Sequence, residues 1–228
     1  MLLKERLDQA RELLAGIAAD YQPVTFANSF GAEDMVLVDL ICGAALPIEI
    51  FTLDTGRWPE ETHVLMADTR RRYGREIKGY FPATAALEAY VTTNGPNGFY
   101  DGIDQRRACC RLRKVEPLGR ALAGKKGWIT GLRREQTPTR QALATSAWDE
   151  ANGLQKFNPL ADWTNDEVWT YIRKFDVPYN ALHDAGYPSI GCGPCTRAIE
   201  EGEDIRAGRW WWENPDEKEC GLHPGKVA

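Results

Sequence analysis

Six cysteines are the residues of this 228-residue chain best suited to chemistry, and five of them form a pattern. Cys109 and Cys110 are adjacent, Cys192 and Cys195 form a C-x-x-C pair after 81 intervening residues, and Cys220 stands eight residues from the end. Four thiolates in two pairs can bind zinc or an iron–sulfur cluster. Zinc sites built from four cysteines use two C-x-x-C turns, each closing on one ion. An adjacent pair cannot make that turn, because successive helical side chains diverge by about 100°. Such a pair suits a [4Fe–4S] cube, in which each thiolate takes its own iron. Cys109, Cys110, Cys192 and Cys195 are therefore the expected ligands of one cluster per chain. Four unrelated buried cysteines are the plain alternative, and the paired spacing speaks against it. Cys42, in an apolar run, reads as a small core hydrophobe.

Cys220 lies among Glu, Lys, Gly and Pro, in a tail expected to move from about residue 213. A lone thiol there is either incidental or a nucleophile. His223 could help to form its thiolate, and Glu219 would oppose it. The net charge of −5 conceals an asymmetry: residues 106–140 hold eleven Lys or Arg against two Glu. A concentrated basic segment in an acidic chain suits a small anion, although a solvated basic helix would look the same. No aromatic-interleaved basic stripe or helix-turn-helix pattern points to nucleic acid. Hydrophobic residues at 43% and charged residues at 27% describe a soluble globular protein. No apolar run approaches a membrane span, and the amphipathic start lacks the apolar middle of a signal peptide. A cytoplasmic location follows as an expectation. Cysteines there serve metal or catalysis before disulfides.

The elements that must position these residues alternate in type. Leu3, Leu7, Leu14 and Ile17 predict a helix over the first twenty residues. Val24-Thr25-Phe26-Ala27 reads as a buried strand that ends at Ser29-Phe30-Gly31, with a helix over 33–42. A strand over 48–53 ends at Asp54-Thr55-Gly56, a helix covers 59–73, and a strand covers 76–80. The strand at 127–131 opens into Leu132-Arg133-Arg134. This order predicts an α/β fold with a mainly parallel sheet flanked by helices, in one domain spanning 1–228. Ligands in such sheets bind outside the carboxyl ends of the strands, so the loops at 29–34, 54–56 and 131–140 are the candidates. The Gly-containing turn at Ser29 offers backbone N–H groups to an anion at a helix N-terminus. Thr164 and Glu167 form a capping box, with Val168, Ile172 and Phe175 as the expected buried stripe and Pro178 as the stop. The three tryptophans Trp210, Trp211 and Trp212 are read mostly as core.

Ser29-Phe30-Gly31-Ala32-Glu33-Asp34 resembles the phosphate loop of the ATP pyrophosphatase superfamily, whose fold is adenine nucleotide alpha hydrolase-like. It departs at Phe30, where that loop usually carries a second glycine, so a different anion such as sulfate is expected. With Cys109-Cys110-Arg111-Leu112-Arg113-Lys114, the Cys192 and Cys195 pair, and Glu219-Cys220-Gly221-Leu222-His223, the resemblance becomes specific. Leu53-Asp54-Thr55-Gly56, Gly131-Leu132-Arg133-Arg134-Glu135-Gln136 and Arg206-Ala207-Gly208-Arg209-Trp210-Trp211-Trp212 belong to the same pattern. Together they are similar to the assimilatory adenylyl-sulfate reductases of the PAPS/APS reductase family, from Ser29 to His223.

That resemblance implies reduction of adenosine 5′-phosphosulfate (APS) to sulfite and AMP, with thioredoxin as electron donor and a [4Fe–4S] cluster as cofactor. It makes Cys220 the nucleophile. It implies that Lys114, Arg133, Arg206 and Arg209 neutralise the phosphosulfate, and that Ser29, Phe30, Gly31, Leu53, Asp54, Thr55 and Gly56 hold the nucleotide. Gly131, Arg134 and Gln136 belong to the Arg133 loop. Three other readings share some of these features: a PAPS reductase, an ATP-using sulfur or tRNA-modifying enzyme, and a non-catalytic cluster protein that senses nucleotide or redox state. Asp54 would repel a 3′-phosphate near the sugar unless Arg57 intervened. The oligomeric state is not set by the sequence.

Overall fold

The computed structural model of the chain describes residues 3–137 and 140–214. Helix α1 (Leu3–Asp20) buries Leu7, Leu14 and Ile17 on one stripe. Strand β1 (Val24–Ala27), helix α2 (Ala32–Gly43), β2 (Glu49–Leu53), α3 (Glu60–Tyr73) and β3 (Ile77–Tyr80) follow in order. Helices α4 (Thr84–Asn94), α5 (Ile103–Cys110) and α6 (Glu116–Leu122) come next, with a π-helical turn, Arg111–Val115, between the last two. The chain continues through β4 (Gly127–Ile129), β5 (Ser146–Asp149), β6 (Leu154–Phe157) and α7 (Asn165–Lys174).

The strands form one sheet in the order β3-β2-β1-β4-β6-β5. β1 pairs in parallel with β2 and β4, β4 pairs in parallel with β6, and β5 runs antiparallel to β6. Val24, Thr25 and Phe26 of β1 are all buried, which is what a parallel strand covered on both faces requires. β5 carries no such signal. Ser146, Ala147 and Trp148 are exposed, so neither alternation nor an apolar run marks that strand.

Helix α7 begins at the expected capping box: Glu167 N–H donates to Thr164 Oγ1 (3.1 Å) and Thr164 N–H to Glu167 Oε2 (2.8 Å). Val168 and Ile172 are buried as expected. Phe175 is not. It sits at the C-cap, 37% exposed, and Tyr171 takes the third core position. The Tyr171 hydroxyl donates to Asp39 Oδ2 (2.7 Å) and the Tyr73 hydroxyl to Asp39 Oδ1 (2.9 Å), so one carboxylate on α2 ties down α3 and α7. The helix ends at Lys174, ahead of Pro178. Among the described residues no helix is long and apolar enough to cross a membrane.

Contacts divide the chain into two compact units. The first comprises residues up to Thr52, Glu60–Lys78 and Leu122–Ala181, and it carries most of the sheet. The second comprises Leu53–Pro59, Gly79–Ala121 and the chain from Leu182 onward, and it carries both cysteine pairs.

The turn from β1 into α2 is shaped by Asp34, in the first turn of α2 and 6% exposed. Its Oδ2 accepts from the Ser29 N–H and the Ser29 hydroxyl, both at 2.6 Å, and the Gly131 N–H donates to the same carboxyl group. A Cβ at Gly131 would collide with Asp34 Oδ1, so the approach of these two loops needs glycine there. Burial pushes the Asp34 carboxyl up to about 7, against the pull of the Ser29 bonds. The folded chain therefore holds a proton here that the unfolded chain, at 3.8, has released. Stability from this group is present at low pH and lost as pH rises through that window, at up to about 1.4 kcal/mol per pH unit. Urea unfolding between about pH 5 and 8 should show wild type losing stability more steeply than Asp34→Asn. Equal slopes would mean that Asp34 is ionised throughout.

Candidate functional site

In the first unit the loop after β1 carries Ser29, Phe30 and Gly31. Phe30 takes the left-handed backbone conformation, φ 62°, that usually belongs to glycine. That conformation costs a non-glycine residue about 1–2 kcal/mol, which burial of the ring offsets. Phe30 is 1% exposed, and its N–H donates to Asn28 Oδ1 at 2.7 Å. Phe30 thus holds a backbone conformation that glycine favours while its ring is buried. Ser29 is exposed, and Gly31 starts α2 with no side-chain cap on the first-turn N–H groups. An uncapped helix start beside a hydroxyl suits an anion.

The loop after β4 is held by the chain's own charges. Arg133, 1% exposed, donates through Nε to Glu33 Oε1 (2.9 Å) and through Nη1 to Glu135 Oε2 (3.0 Å) and Trp163 O (3.2 Å). Its Nη2 lies 2.7 Å from Glu33 Oε1. Arg134 pairs with Asp162 and donates to Leu143 O. Gln136 Oε1 accepts from Arg133 N–H (3.1 Å) and Arg140 Nη1 (2.6 Å). These bonds of Arg133, Arg134 and Gln136 set the shape of the loop that Gly131 opens.

In the second unit, the residues after β2 meet the C-x-x-C segment. Gly56 N–H donates to Asp54 Oδ1 (2.8 Å), and Asp54 N–H donates to Tyr80 O (2.9 Å). Thr55 Oγ1 lies 3.2 Å from Cys192 Sγ, and Gly193 N–H donates to Arg57 O (2.8 Å). Arg57 spends its guanidinium on Pro96 O and Asn97 Oδ1, both at 2.8 Å, and stacks on Phe99. Leu53 is half-buried at the end of β2.

Cys109 and Cys110 close α5 and, as adjacent helical residues, part company. Cys109 packs with Cys192 and Trp212 against a buried cluster of Phe99, Cys195 and Trp210. Cys110 hydrogen-bonds the buried Arg106. Burial pushes the Cys109 thiol up, and pushes Cys195 up to about 12 with Cys192 adding to the effect. Arg209 and Lys114 pull Cys195 the other way. Lys114 was expected one α-helical turn beyond Cys110. It lies within the π-helical turn, in which Arg113 is buried. Arg113, 6% exposed, donates to Thr55 O (2.5 Å) and also bonds Cys109. Sequence reasoning missed Arg113 and Arg106: both lie in the basic run, but nothing in that run marks which members turn inward.

Among the described residues no three His, Cys, Asp or Glu side chains are so placed that they could hold a metal ion. Three of the four expected ligands nonetheless share one apolar cluster, and the fourth is their neighbour on α5. A cube does not ask its ligands to converge on one point, since each thiolate takes its own iron. The donors fit a [4Fe–4S] cluster in number and kind.

Arg209 is 7% exposed, and its guanidinium lies where a Cβ at residue 191, a glycine, would sit. The tryptophans do not form a strand. Thr196 and Arg209 make an isolated bridge, Trp210 is buried, Trp212 is half-buried, and Trp211 is exposed. Arg206 is half-buried, its N–H donating to Asp204 Oδ1 (2.8 Å). The expected nucleophile Cys220, with His223, lies outside the described residues.

Residues 23–198 match the phosphoadenosine phosphosulfate reductase domain. The chain is 58% identical, over 99% of its own length and 88% of the relative's, to an adenosine 5′-phosphosulfate reductase of Allochromatium vinosum. It resembles the solved phosphoadenylyl-sulfate reductase of Candida auris, in a phosphate complex, with a TM-score of 0.73 and 26% identity over 86% of this chain and 96% of that one. The Candida glabrata FMN adenylyltransferase shares the fold alone, with a TM-score of 0.59 and 14% identity over 99% of this chain and 79% of that one. The mostly parallel sheet is thus of the adenine nucleotide alpha hydrolase-like kind, and the chain belongs to the phosphoadenosine phosphosulfate reductase family.

Proposed function

We propose that this protein reduces adenosine 5′-phosphosulfate to sulfite and AMP, with thioredoxin as reductant and a cysteine S-sulfonate on Cys220 as intermediate. The observation that carries the reading is the gathering of three thiols, Cys109, Cys192 and Cys195, with two cations, Lys114 and Arg209, near Cys195. A family relative named adenosine 5′-phosphosulfate reductase, at 58% identity, supports the choice of nucleotide.

In the first step the Cys220 thiolate attacks the sulfate sulfur. A sulfur–sulfur bond forms, the bond from sulfur to the bridging oxygen breaks, and AMP departs with the electron pair. Lys114, Arg206 and Arg209 stabilise the charge growing on the departing phosphate. Ser29, Phe30 and Gly31 receive an anionic part of the nucleotide at the start of α2, and Leu53, Asp54, Thr55 and Gly56 border the sugar. Gly131, Arg133, Arg134 and Gln136 keep their loop in shape through the bonds already described. In the second step a thioredoxin thiolate attacks Cys220 Sγ and releases sulfite. The second thioredoxin thiol then resolves the mixed disulfide and returns Cys220 as a thiol. Two electrons thus pass from the dithiol to sulfur. A [4Fe–4S] cluster held by Cys109, Cys110, Cys192 and Cys195 would supply local electrostatics, because neither step needs a single electron. The reading involves no nucleic acid and no membrane. The reducing cytoplasm suits its free thiols.

Arg57 separates the two sulfonucleotides. A 3′-phosphate beside Asp54 needs a cation, and the Arg57 fork is spent on Pro96 and Asn97. With one thioredoxin, kcat/KM should therefore favour adenosine 5′-phosphosulfate over its 3′-phosphorylated form, and equal or reversed values would return the PAPS reductase reading. Cys220→Ser should bind the nucleotide and release no sulfite, because only the nucleophile is lost. Turnover by that variant would move the nucleophile elsewhere. Arg209→Ala and Arg206→Ala should each lower kcat/KM by about 10- to 100-fold, the loss of one charge-assisted contact. Unchanged kinetics in both would leave these arginines as packing.

A further inference from the structure

Ser29 is exposed, yet both of its donors are committed within the chain. Its N–H and its hydroxyl each donate to Asp34 Oδ2 at 2.6 Å. An ionised carboxylate only accepts, so above about pH 7, where Asp34 has lost its proton, the Ser29 hydroxyl must direct its hydrogen at Asp34. What Ser29 Oγ then offers a ligand is lone pairs. The next N–H, that of Phe30, donates to Asn28 Oδ1 at 2.7 Å. The anionic part of the nucleotide therefore falls to the first-turn N–H groups of α2, which have no side-chain cap. Ser29 Oγ has a different partner to meet.

A second acceptor stands beside it. Glu33 Oε1 takes Arg133 Nε (2.9 Å) and Nη2 (2.7 Å), whereas Glu33 Oε2 accepts no hydrogen bond among the described residues. Arg133 thus fixes the carboxylate through one oxygen and leaves the other available. The two acceptors flank Gly31, where a Cβ would lie 3.6 Å from Ser29 Oγ and 3.7 Å from Glu33 Oε2. Glycine keeps that side clear. Two acceptors around one opening suit two neighbouring donors and repel a phosphate or sulfate. A cation is disfavoured as well, because Arg133 already neutralises Glu33. Of an adenine nucleotide this leaves the uncharged donors, which are the ribose hydroxyls and the 6-amino group. Two adjacent hydroxyls can serve two separate acceptors, whereas an amino group must serve both from one nitrogen. Carboxylates in open α/β sheets take ribose hydroxyls in the same way.

We propose that Ser29 Oγ and Glu33 Oε2 accept from the 2′- and 3′-hydroxyls of the nucleotide's ribose, which makes them specificity-determining residues for a ribonucleotide. The inference rests on the proposed reaction, whose product AMP supplies the probe. Arg133 and Asp34 are positioning residues here. Arg133 holds Glu33 by Oε1, and Asp34 sets the direction of the Ser29 hydroxyl.

The test is calorimetric titration of the full chain at pH 8 with AMP, its 2′-deoxy and 3′-deoxy analogues, and purine riboside 5′-monophosphate, which lacks the 6-amino group. Each deoxy analogue should bind at least about tenfold more weakly than AMP, because it leaves one acceptor unmet. In Ser29→Ala the penalty for one deoxy analogue should vanish while the penalty for the other persists. A merely structural role for Ser29 would weaken all four nucleotides alike, and that result would overturn the proposal. So would wild-type affinity for either deoxy analogue equal to that for AMP. A loss confined to purine riboside would place the 6-amino group at these acceptors instead of the ribose. The wild-type series stands even if the variant fails to fold. A wild-type chain that does not bind AMP would sink the proposed reaction together with this inference, whereas the other results leave that reaction standing.

Discussion

Placing several thiols together in an apolar cluster sets the terms for the second unit. Burial disfavours the thiolate at Cys109 and at Cys195, and each neighbouring sulfur adds to the cost. The chain answers with charge and hydrogen bonds. Arg113 bonds Cys109, Lys114 and Arg209 lie near Cys195, and the Thr55 hydroxyl meets Cys192. These groups come from the π-helical turn, the segment around Trp210 and the loop after β2. The irregular backbone here follows from that requirement. Arg113 is buried within the π-helical turn, and Trp210 is buried while holding a left-handed backbone.

The first unit solves a different problem with ordinary means. Its sheet and helices follow from apolar patterning, and its loops after β1 and β4 are fastened by acidic side chains. Asp34 binds Ser29 and Gly131, while Glu33 and Glu135 bind Arg133. These bonds fix the course of the loop after β1. Phe30 fits this scheme. Its ring fills the space beneath the loop while its backbone keeps the course that glycine would take.

The parts legible in the sequence were those set by neighbouring residues. The buried run of β1, the capping box of α7 and the paired cysteines each rest on spacings of a few residues. The parts that stayed hidden depend on distant partners or on a change of helical period. Arg133 bonds Glu33, a partner 100 residues away that no local spacing marks. Arg113 turns inward beside Cys109 from a π-helical turn, which has no signature in hydrophobic period. Phe175 looked like core from its spacing, but the helix ends one residue earlier and Tyr171 takes the position instead. The division into two units was illegible too, because each is assembled from three separate stretches of chain.

The central claim is that Cys109, Cys110, Cys192 and Cys195 serve one iron–sulfur cluster and that the cations around them exist for it. Iron, acid-labile sulfide and zinc content of protein purified without oxygen test it most directly. The account predicts iron and labile sulfide in equal amounts, both lost together when Cys192 is replaced by serine. A colourless protein that carries zinc, contains no labile sulfide and retains full turnover would contradict it.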